Sequence, residues 1–170
     1  RRMFEITKES RYADVMEQAL YNGVISGMSL DGKSFFYVNP LEVEPEACLK
    51  DYNKRHVKPE RQKWFGCACC PPNVARLLSS IGGYAFEESP DSLYMNLFVG
   101  GKLQTVKDGK ENQITVETRY PWAGQIKITV ENKEDSTFAL ALRIPGWCQS
   151  YSLKVNKETQ QYSRNEGYPM

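Results

Sequence analysis

The 170-residue chain has no excess of either charge: 22 Lys and Arg stand against 21 Asp and Glu, with no basic block. Nucleic acid and anionic membrane surfaces are therefore not indicated as partners. It has no apolar run near the ~18 residues that a membrane span requires, so no membrane is expected. Histidine is nearly absent: His56 stands alone in a polar stretch and reads as solvated rather than catalytic. There are no internal repeats and no low-complexity tracts, and the length suits one good core or two small ones. Cysteine is present, but not as a secreted disulfide framework, because its five copies are odd in number and clustered. No leader is visible at Arg1-Arg2-Met3. The opening and the close at Gly167-Tyr168-Pro169-Met170 read as those of an internal piece of a longer protein, so localisation stays open.

The chain changes character near Gly82-Gly83. Before that point, Tyr12, Val15, Met16, Ala19 and Leu20 follow helical spacing, and Asn22-Gly23 is expected to close the helix. Asp31-Gly32, between Gly27-Met28-Ser29-Leu30 and Phe35-Phe36-Tyr37-Val38, predicts a hairpin with a two-residue turn. Leu41 to Lys63 is polar and punctuated by proline, which predicts a long ordered loop covering a site. Pro72 suits a first helical turn, Val74, Leu77, Leu78 and Ile81 form one apolar face, and Gly82-Gly83 should end that helix. After Tyr84 the period becomes two. Ile114, Val116, Thr118 and Tyr120 alternate with polar residues, as do Ile126, Ile128 and Val130, and most cleanly Phe138, Leu140, Leu142 and Ile144. Gly100-Gly101, Asp108-Gly109 and Ala123-Gly124 punctuate these runs. The pattern predicts an α+β chain: a helical, site-bearing piece followed by an antiparallel β-sandwich.

Chemistry concentrates in Trp64-Phe65-Gly66-Cys67-Ala68-Cys69-Cys70-Pro71-Pro72-Asn73, where three of the five cysteines fall within four positions. Adjacent Cys69 and Cys70 are poorly placed to pair with each other, and a helix start favours a thiolate. Three readings compete. Structural zinc usually takes four ligands from two Cys-x-x-Cys knuckles, and a second knuckle is absent. Redox cycling would use Cys67 and Cys70, without a thioredoxin-like strand order. A catalytic thiolate held by a metal is the third. Metal binding leads from the residues alone, and catalysis stays open. Three buried inert thiols fit least, because the cluster lies between Gly66 and Pro71 rather than on an apolar face. Cys48 and Cys148 stand apart and read as small buried hydrophobes.

This segment, continued through Val74-Ala75-Arg76, resembles the signature of glycoside hydrolase family 127, the β-L-arabinofuranosidases. The likeness extends over Arg11–Glu17, Ala19–Asn22, Asp31–Lys33 and Phe35–Glu42, and thus most of the first 85 residues. The resemblance implies that residues 1–83 are the end of an (α/α)6-barrel catalytic domain and residues 84–170 the start of a β-sandwich. It implies zinc (Zn2+) held by three Cys and one Glu, with Cys69 and Cys70 as two of those cysteines. Cys69 matches the proposed nucleophile of a retaining mechanism through a thioglycosyl intermediate, unlike the usual carboxylate pair. Glu17 and Tyr37 match sugar contacts. The remaining zinc ligands, in a Glu-x-Cys motif, and the acid/base glutamate would lie upstream of Arg1. The expectation is a piece that is inactive and binds zinc weakly by itself, with Cys67 a poor substitute ligand.

Simpler readings stand beside these: Glu17 on a solvated helix face, Tyr37 as a half-buried hairpin aromatic, and Arg61 and Arg76 steadying backbone carbonyls or a carboxylate. Trp122 and Trp147, beside Pro121 and Pro145, read as core or turn packing rather than carbohydrate platforms. The expected partner is an arabinofuranoside-containing glycan. Self-association through unpaired strand edges, giving a homo-oligomer, is a further expectation. The alternative function is a non-catalytic, zinc-stabilised structural or carbohydrate-binding module, with a redox protein third.

Overall fold

The computed structural model describes the chain except residues 41, 55, 68, 133–134, 161–163, 166–167 and 170. Leu41 of the expected loop, Ala68 of the cysteine segment, and Gly167 and Met170 of the closing segment thus lie outside the described residues. The chain forms two compact units, Arg1–Val15 with Gly82–Met170, and Met16–Ile81. Its α-helices are α1 (Arg2–Thr7), α2 (Ser10–Gln18), α3 (Pro45–Lys50), α4 (Cys70–Ser79) and α5 (Gly82–Ala85). Among the described residues no helix is long and apolar enough to cross a membrane.

The first unit holds most of the strands. They are β1 (Phe86–Glu88), β2 (Ser92–Met95), β3 (Gly101–Lys107), β4 (Lys110–Thr118), β5 (Ile126–Asn132) and β6 (Ala139–Leu142). Two short ribbons follow, β7 (Lys154–Val155) with β8 (Glu158–Thr159), and β9 (Arg164–Asn165) with β10 (Tyr168–Pro169). β3, β4 and β5 form an antiparallel sheet in that order. The other three-stranded sheet runs β1-β2-β6 and corrects the antiparallel expectation, because β2 and β6 are parallel. Leu93 and Met95 from one sheet and Ile114 and Val116 from the other meet in one buried cluster with Phe98. Each such buried side chain contributes on the order of 1.5–3 kcal/mol relative to exposure.

β6 is covered on both faces, as parallel strands commonly are. Phe138, Leu140 and Leu142 pack on the shared core, as the alternation predicts. Of the intervening positions Ala139 is exposed, while Ala141 and, just past the strand, Arg143 are both 0% exposed. Ala141 belongs to a second cluster with Phe4 of α1 and Tyr168. Phe4 meets Tyr94 edge-on at 5.8 Å and Tyr168 at 5.9 Å. α1 stops at Lys8, in the left-handed conformation at φ 58°, whose N–H returns to the Phe4 carbonyl. The chain's first fifteen residues thereby pack with the β-rich unit.

The dipeptide Asp-Gly occurs twice and folds two ways. At Asp108-Gly109 both residues have positive φ, 57° and 73°, as the favoured two-residue hairpin turn demands, and Lys107 pairs with Lys110 across it. At Asp31-Gly32 only Gly32 is positive, at 69°. There the Asp31 carboxylate accepts from Ser29 Oγ at 2.6 Å and from the Lys33 N–H at 3.1 Å. These bonds open the connection, so Ser29 N–H reaches the Ser34 carbonyl at 2.8 Å. The predicted two-residue turn becomes a wider one, and the arms form a single bridge, Met28 with Phe35.

In the second unit Asn22-Gly23 does not close the helix. Neither residue adopts the left-handed conformation that ends helices. The chain continues through a π-helical turn (Ala19–Val24) and a 3-10 turn (Ile25–Gly27). Asn39 Nδ2 then donates to the Gly23 carbonyl at 2.8 Å. The buried stripe runs Ala13, Glu17, Leu20, while Val15 is exposed, so the hydrophobic spacing predicted the helix but not its inward face. The expected loop from 41 to 63 carries α3 and a 3-10 turn (Tyr52–Lys54). α4 starts as predicted, with Pro71 and Pro72 in its first turn, but none of its residues is fully buried. Gly82-Gly83 does not end it; Ser80 caps it, and the two glycines open α5.

Candidate functional site

The three clustered thiols are free and lie side by side. Cys69 Sγ is 3.6 Å from Cys67 Sγ and 3.5 Å from Cys70 Sγ. Cys69 is the N-cap of α4 and Cys70 its first residue. Pro71 and Pro72 bring no N–H groups to that helix start, so fewer donors face the thiols than a helix N-terminus ordinarily offers. The helix dipole remains as the favourable field for negative charge there.

Asn73 secures the turn. Its Nδ2 donates to the Cys69 carbonyl at 2.7 Å, and Arg76 Nη2 donates to Asn73 Oδ1 at 2.6 Å. Sequence reasoning missed Asn73; an amide side chain four residues after a proposed nucleophile, at a helix start, was the available signal. Arg76 therefore steadies a side-chain amide. Arg61 holds a backbone carbonyl as anticipated, donating to Ser26 O at 2.6 Å while stacking on Phe36.

Phe65 links the cysteine segment to the hairpin, packing against Phe35 at 5.2 Å and Tyr37 at 5.7 Å. Interaction with Cys67 first, and with Cys69 and Cys70, raises the pKa of the Tyr37 phenol above the ordinary tyrosine value. Cys70 Sγ lies 3.9 Å from the Tyr37 carbonyl. A cavity of about 670 Å³ opens beside the thiols, lined by Phe35, Phe36, Trp64, Cys69, Cys70 and Leu77 among others. Glu17 does not line it. Its carboxylate is buried, with the residue 7% exposed, which overturns the solvated-face reading. Tyr37 is 43% exposed. His56 lines a separate hollow with Cys48, which is buried as expected. Cys148 is only half-buried and bonds the Ser150 carbonyl.

The thiols suit a shared tetrahedral cation two at a time. Sulfurs on zinc bonds of about 2.3 Å lie about 3.8 Å apart, close to the 3.5 Å between Cys69 and Cys70. Among the described residues no group of three or more His, Cys, Asp or Glu is arranged to hold a metal ion. A full ligand set thus needs donors beyond these.

A chain with a thiol-lined cavity in a helical piece, joined to sheets that share one core, has close relatives. Residues 1–83 match the catalytic domain of the GH127 β-L-arabinofuranosidases, and residues 92–170 match their middle domain. The chain belongs to the GH127 β-L-arabinofuranosidase family. It is 38% identical over 174 residues to a non-reducing end β-L-arabinofuranosidase of Bifidobacterium longum subsp. longum, an alignment covering 98% of this chain and 26% of that protein. Its structure resembles that of a GH127 β-L-arabinofuranosidase from Geobacillus stearothermophilus T6, with TM-score 0.90 and 53% identity. That match covers 99% of this chain and 27% of the other. A second GH127 β-arabinofuranosidase structure gives TM-score 0.80 at 36% identity, again over 99% and 27%. The chain therefore spans about a quarter of the length of these relatives.

Proposed function

We propose that this chain is part of a retaining glycosidase that cleaves β-linked L-arabinofuranose from glycans, with Cys69 as the nucleophile. The observation that carries the reading is the setting of Cys69. Its sulfur lies between two other thiols, at the start of α4, on the wall of a largely apolar cavity. Family membership supports the substrate class. In the same reading residues 1–83 are the end of an (α/α)6 barrel and residues 84–170 open a β-sandwich.

The chain's own residues have definable parts in that reaction. Asn73 and Arg76 fix the backbone of Cys69, so its sulfur approaches from one direction. The sulfur bonds to the anomeric carbon as the glycosidic C–O bond breaks, and the leaving oxygen takes a proton from an acid carried elsewhere in the longer protein. Water then attacks the same carbon, giving its proton back to the conjugate base of that acid, the C–S bond breaks, and the thiolate is restored. Two inversions give net retention. Tyr37 and Glu17 are the proposed sugar contacts, the phenol donating and the carboxylate accepting. Cys69 and Cys70 would hold zinc (Zn2+), whose charge, when bound, keeps the attacking sulfur deprotonated at neutral pH.

The test is hydrolysis of an aryl β-L-arabinofuranoside by the longer protein, with Cys69→Ser beside it and the first-formed anomer read by NMR. Turnover giving the β anomer, lost in a folded Cys69→Ser protein, is the expected result. Turnover that survives Cys69→Ser, or a first product of inverted configuration, overturns the mechanism. A folded, zinc-loaded protein inactive on a panel of arabinosides would favour a structural or carbohydrate-binding module.

A further inference from the structure

The β-rich unit presents aromatic side chains where core or turn packing was expected. Trp122 is 83% exposed and Trp147 65% exposed. Isolated apolar residues on a surface need no explanation, but large exposed aromatic area held in fixed loops does. Both loops are fixed. The Trp122 and Ala123 N–H groups return to the Arg119 carbonyl at 2.9 and 3.2 Å. The Cys148 N–H returns to the Pro145 carbonyl at 2.9 Å. Tyr120 ties the two loops to each other and to the core: its ring stacks on Trp147 at 6.5 Å with 19° between planes, and meets Phe98 edge-on at 5.6 Å. Phe98 is itself buried in the shared core. The indoles are thus displayed by a rigid base.

This surface continues an interface already present. Gly146, next to Trp147 in the chain, donates its N–H to Asp14 Oδ1 at 3.1 Å. A Cβ at Gly146 would come 2.7 Å from Asp14 Oδ2, so the two chain segments are in tight contact there. Arg143 holds the same carboxylate. Asp14 lies in the residues matched to the GH127 catalytic domain, and Gly146 and Arg143 lie in those matched to the middle domain. One contact between the two matched regions therefore lies next to Trp147 in the chain. The relatives carry nearly three quarters of their length outside the aligned region.

We propose that the face carrying Tyr120, Trp122 and Trp147 is an interdomain docking surface, covered in the longer protein by further catalytic-domain chain. The occupant is an apolar segment that covers the exposed indole rings. The face extends the Asp14–Gly146 contact rather than forming a separate site. The inference rests on family membership and not on the proposed reaction, so loss of either leaves the other standing.

Hydroxyl-radical footprinting of the longer protein, read peptide by peptide by mass spectrometry, tests it. Trp122 and Trp147 should oxidise several-fold more slowly than the tryptophan of a short unstructured peptide given the same dose. Oxidation at the peptide's rate overturns the proposal. So does protection that appears only when an arabino-oligosaccharide is added, which would make the face a sugar platform. Protection lost on dilution also overturns it, in favour of a second copy. As a second readout, Trp147→Ala in the longer protein should raise proteolytic cleavage between residues 83 and 92 several-fold. Unchanged cleavage in the folded variant counts against docking.

Discussion

Arg143 Nη1 lies 2.6 Å from Asp14 Oδ1, and the Arg143 side chain is completely buried. Around this pair, Arg143 Nε donates to the Asn96 carbonyl at 2.6 Å, and the Tyr168 hydroxyl donates to Asn96 Oδ1 at 2.5 Å. Burial alone works against the guanidinium charge and lowers its pKa, and the bond and charge of Asp14 offset that in part. The pair joins residues of the catalytic match to those of the middle-domain match, making it a structural link between the two.

Removing Asp14 strands a buried cation. Asp14→Ala should lower unfolding free energy by about 3–5 kcal/mol in denaturant titrations, whereas replacing both partners, Asp14→Leu with Arg143→Met, should cost much less. Gly146→Ala should also destabilise, because the added methyl meets a carboxylate that Arg143 holds in place. Its effect should shrink in the Asp14→Ala background, since the two share one contact. Fully additive effects would mean that Gly146 is constrained by something other than Asp14.

Alkaline stability should depend on Tyr168. Burial, the first cause, raises its pKa strongly above the ordinary tyrosine value. A group whose folded pKa is raised stabilises the fold fully below its unfolded pKa, about 10 for tyrosine, and that contribution is lost as pH rises further. Urea midpoints should therefore fall above about pH 10. Tyr168→Phe should remove much of that slope while costing on the order of 1 kcal/mol at neutral pH for the lost bond to Asn96.

Acid acts on two turns. Asp31 is held below the ordinary carboxylate value first by the Ser29 hydroxyl and then by the Lys33 N–H, and Asp91 first by Ser89 and then by Ser92. Their folded pKa values are depressed, so their contribution is present above the unfolded carboxylate pKa and is lost as pH falls through the folded values. Carboxyl 13C titration should give midpoints for Asp31 and Asp91 below the ordinary aspartate value of about 3.9. Ser29→Ala and Ser89→Ala should each raise the midpoint toward the ordinary range, because the other bonds to Asp31 and Asp91 remain.

The two Asp-Gly turns differ in what they ask of their residues. Gly109→Ala should cost about 1–2 kcal/mol, the usual penalty for a side chain in the left-handed region. Asp108→Gly should be tolerated, because position 108 has positive φ as well. Asp31→Gly should loosen its turn despite glycine's freedom, since the Asp31 carboxylate fixes the shape of that wider connection. Loss of amide protection at Ser34, read by hydrogen exchange, would report it.

Much of this architecture was legible because it rests on local chemistry. Pro71 and Pro72 announce a helix start, and that start is where α4 begins. Alternation marks β4 and one face of β6. What escaped was any residue whose role is set by a distant neighbour. Arg143 reads as a polar position in an alternating strand, yet Asp14, far away in sequence, makes its burial tolerable. Glu17 reads as a solvated helix position and is buried. Trp122 and Trp147 read as packing, and the structure turns both outward. Asn73 offers only its type and its place at the helix start, because its bond to the Cys69 carbonyl exists only once that start has formed.

The sequence by itself determined where the thiols sit along the chain, the start of α4, the alternation of β4 and the family, because spacing, turn chemistry and side-chain period act over a few residues. Tertiary structure alone decided that β2 and β6 run parallel, that the first fifteen residues join the β-rich unit, and that a buried arginine meets its aspartate there. Those outcomes depend on which surfaces exclude water together, and burial is shared among residues that are remote along the chain.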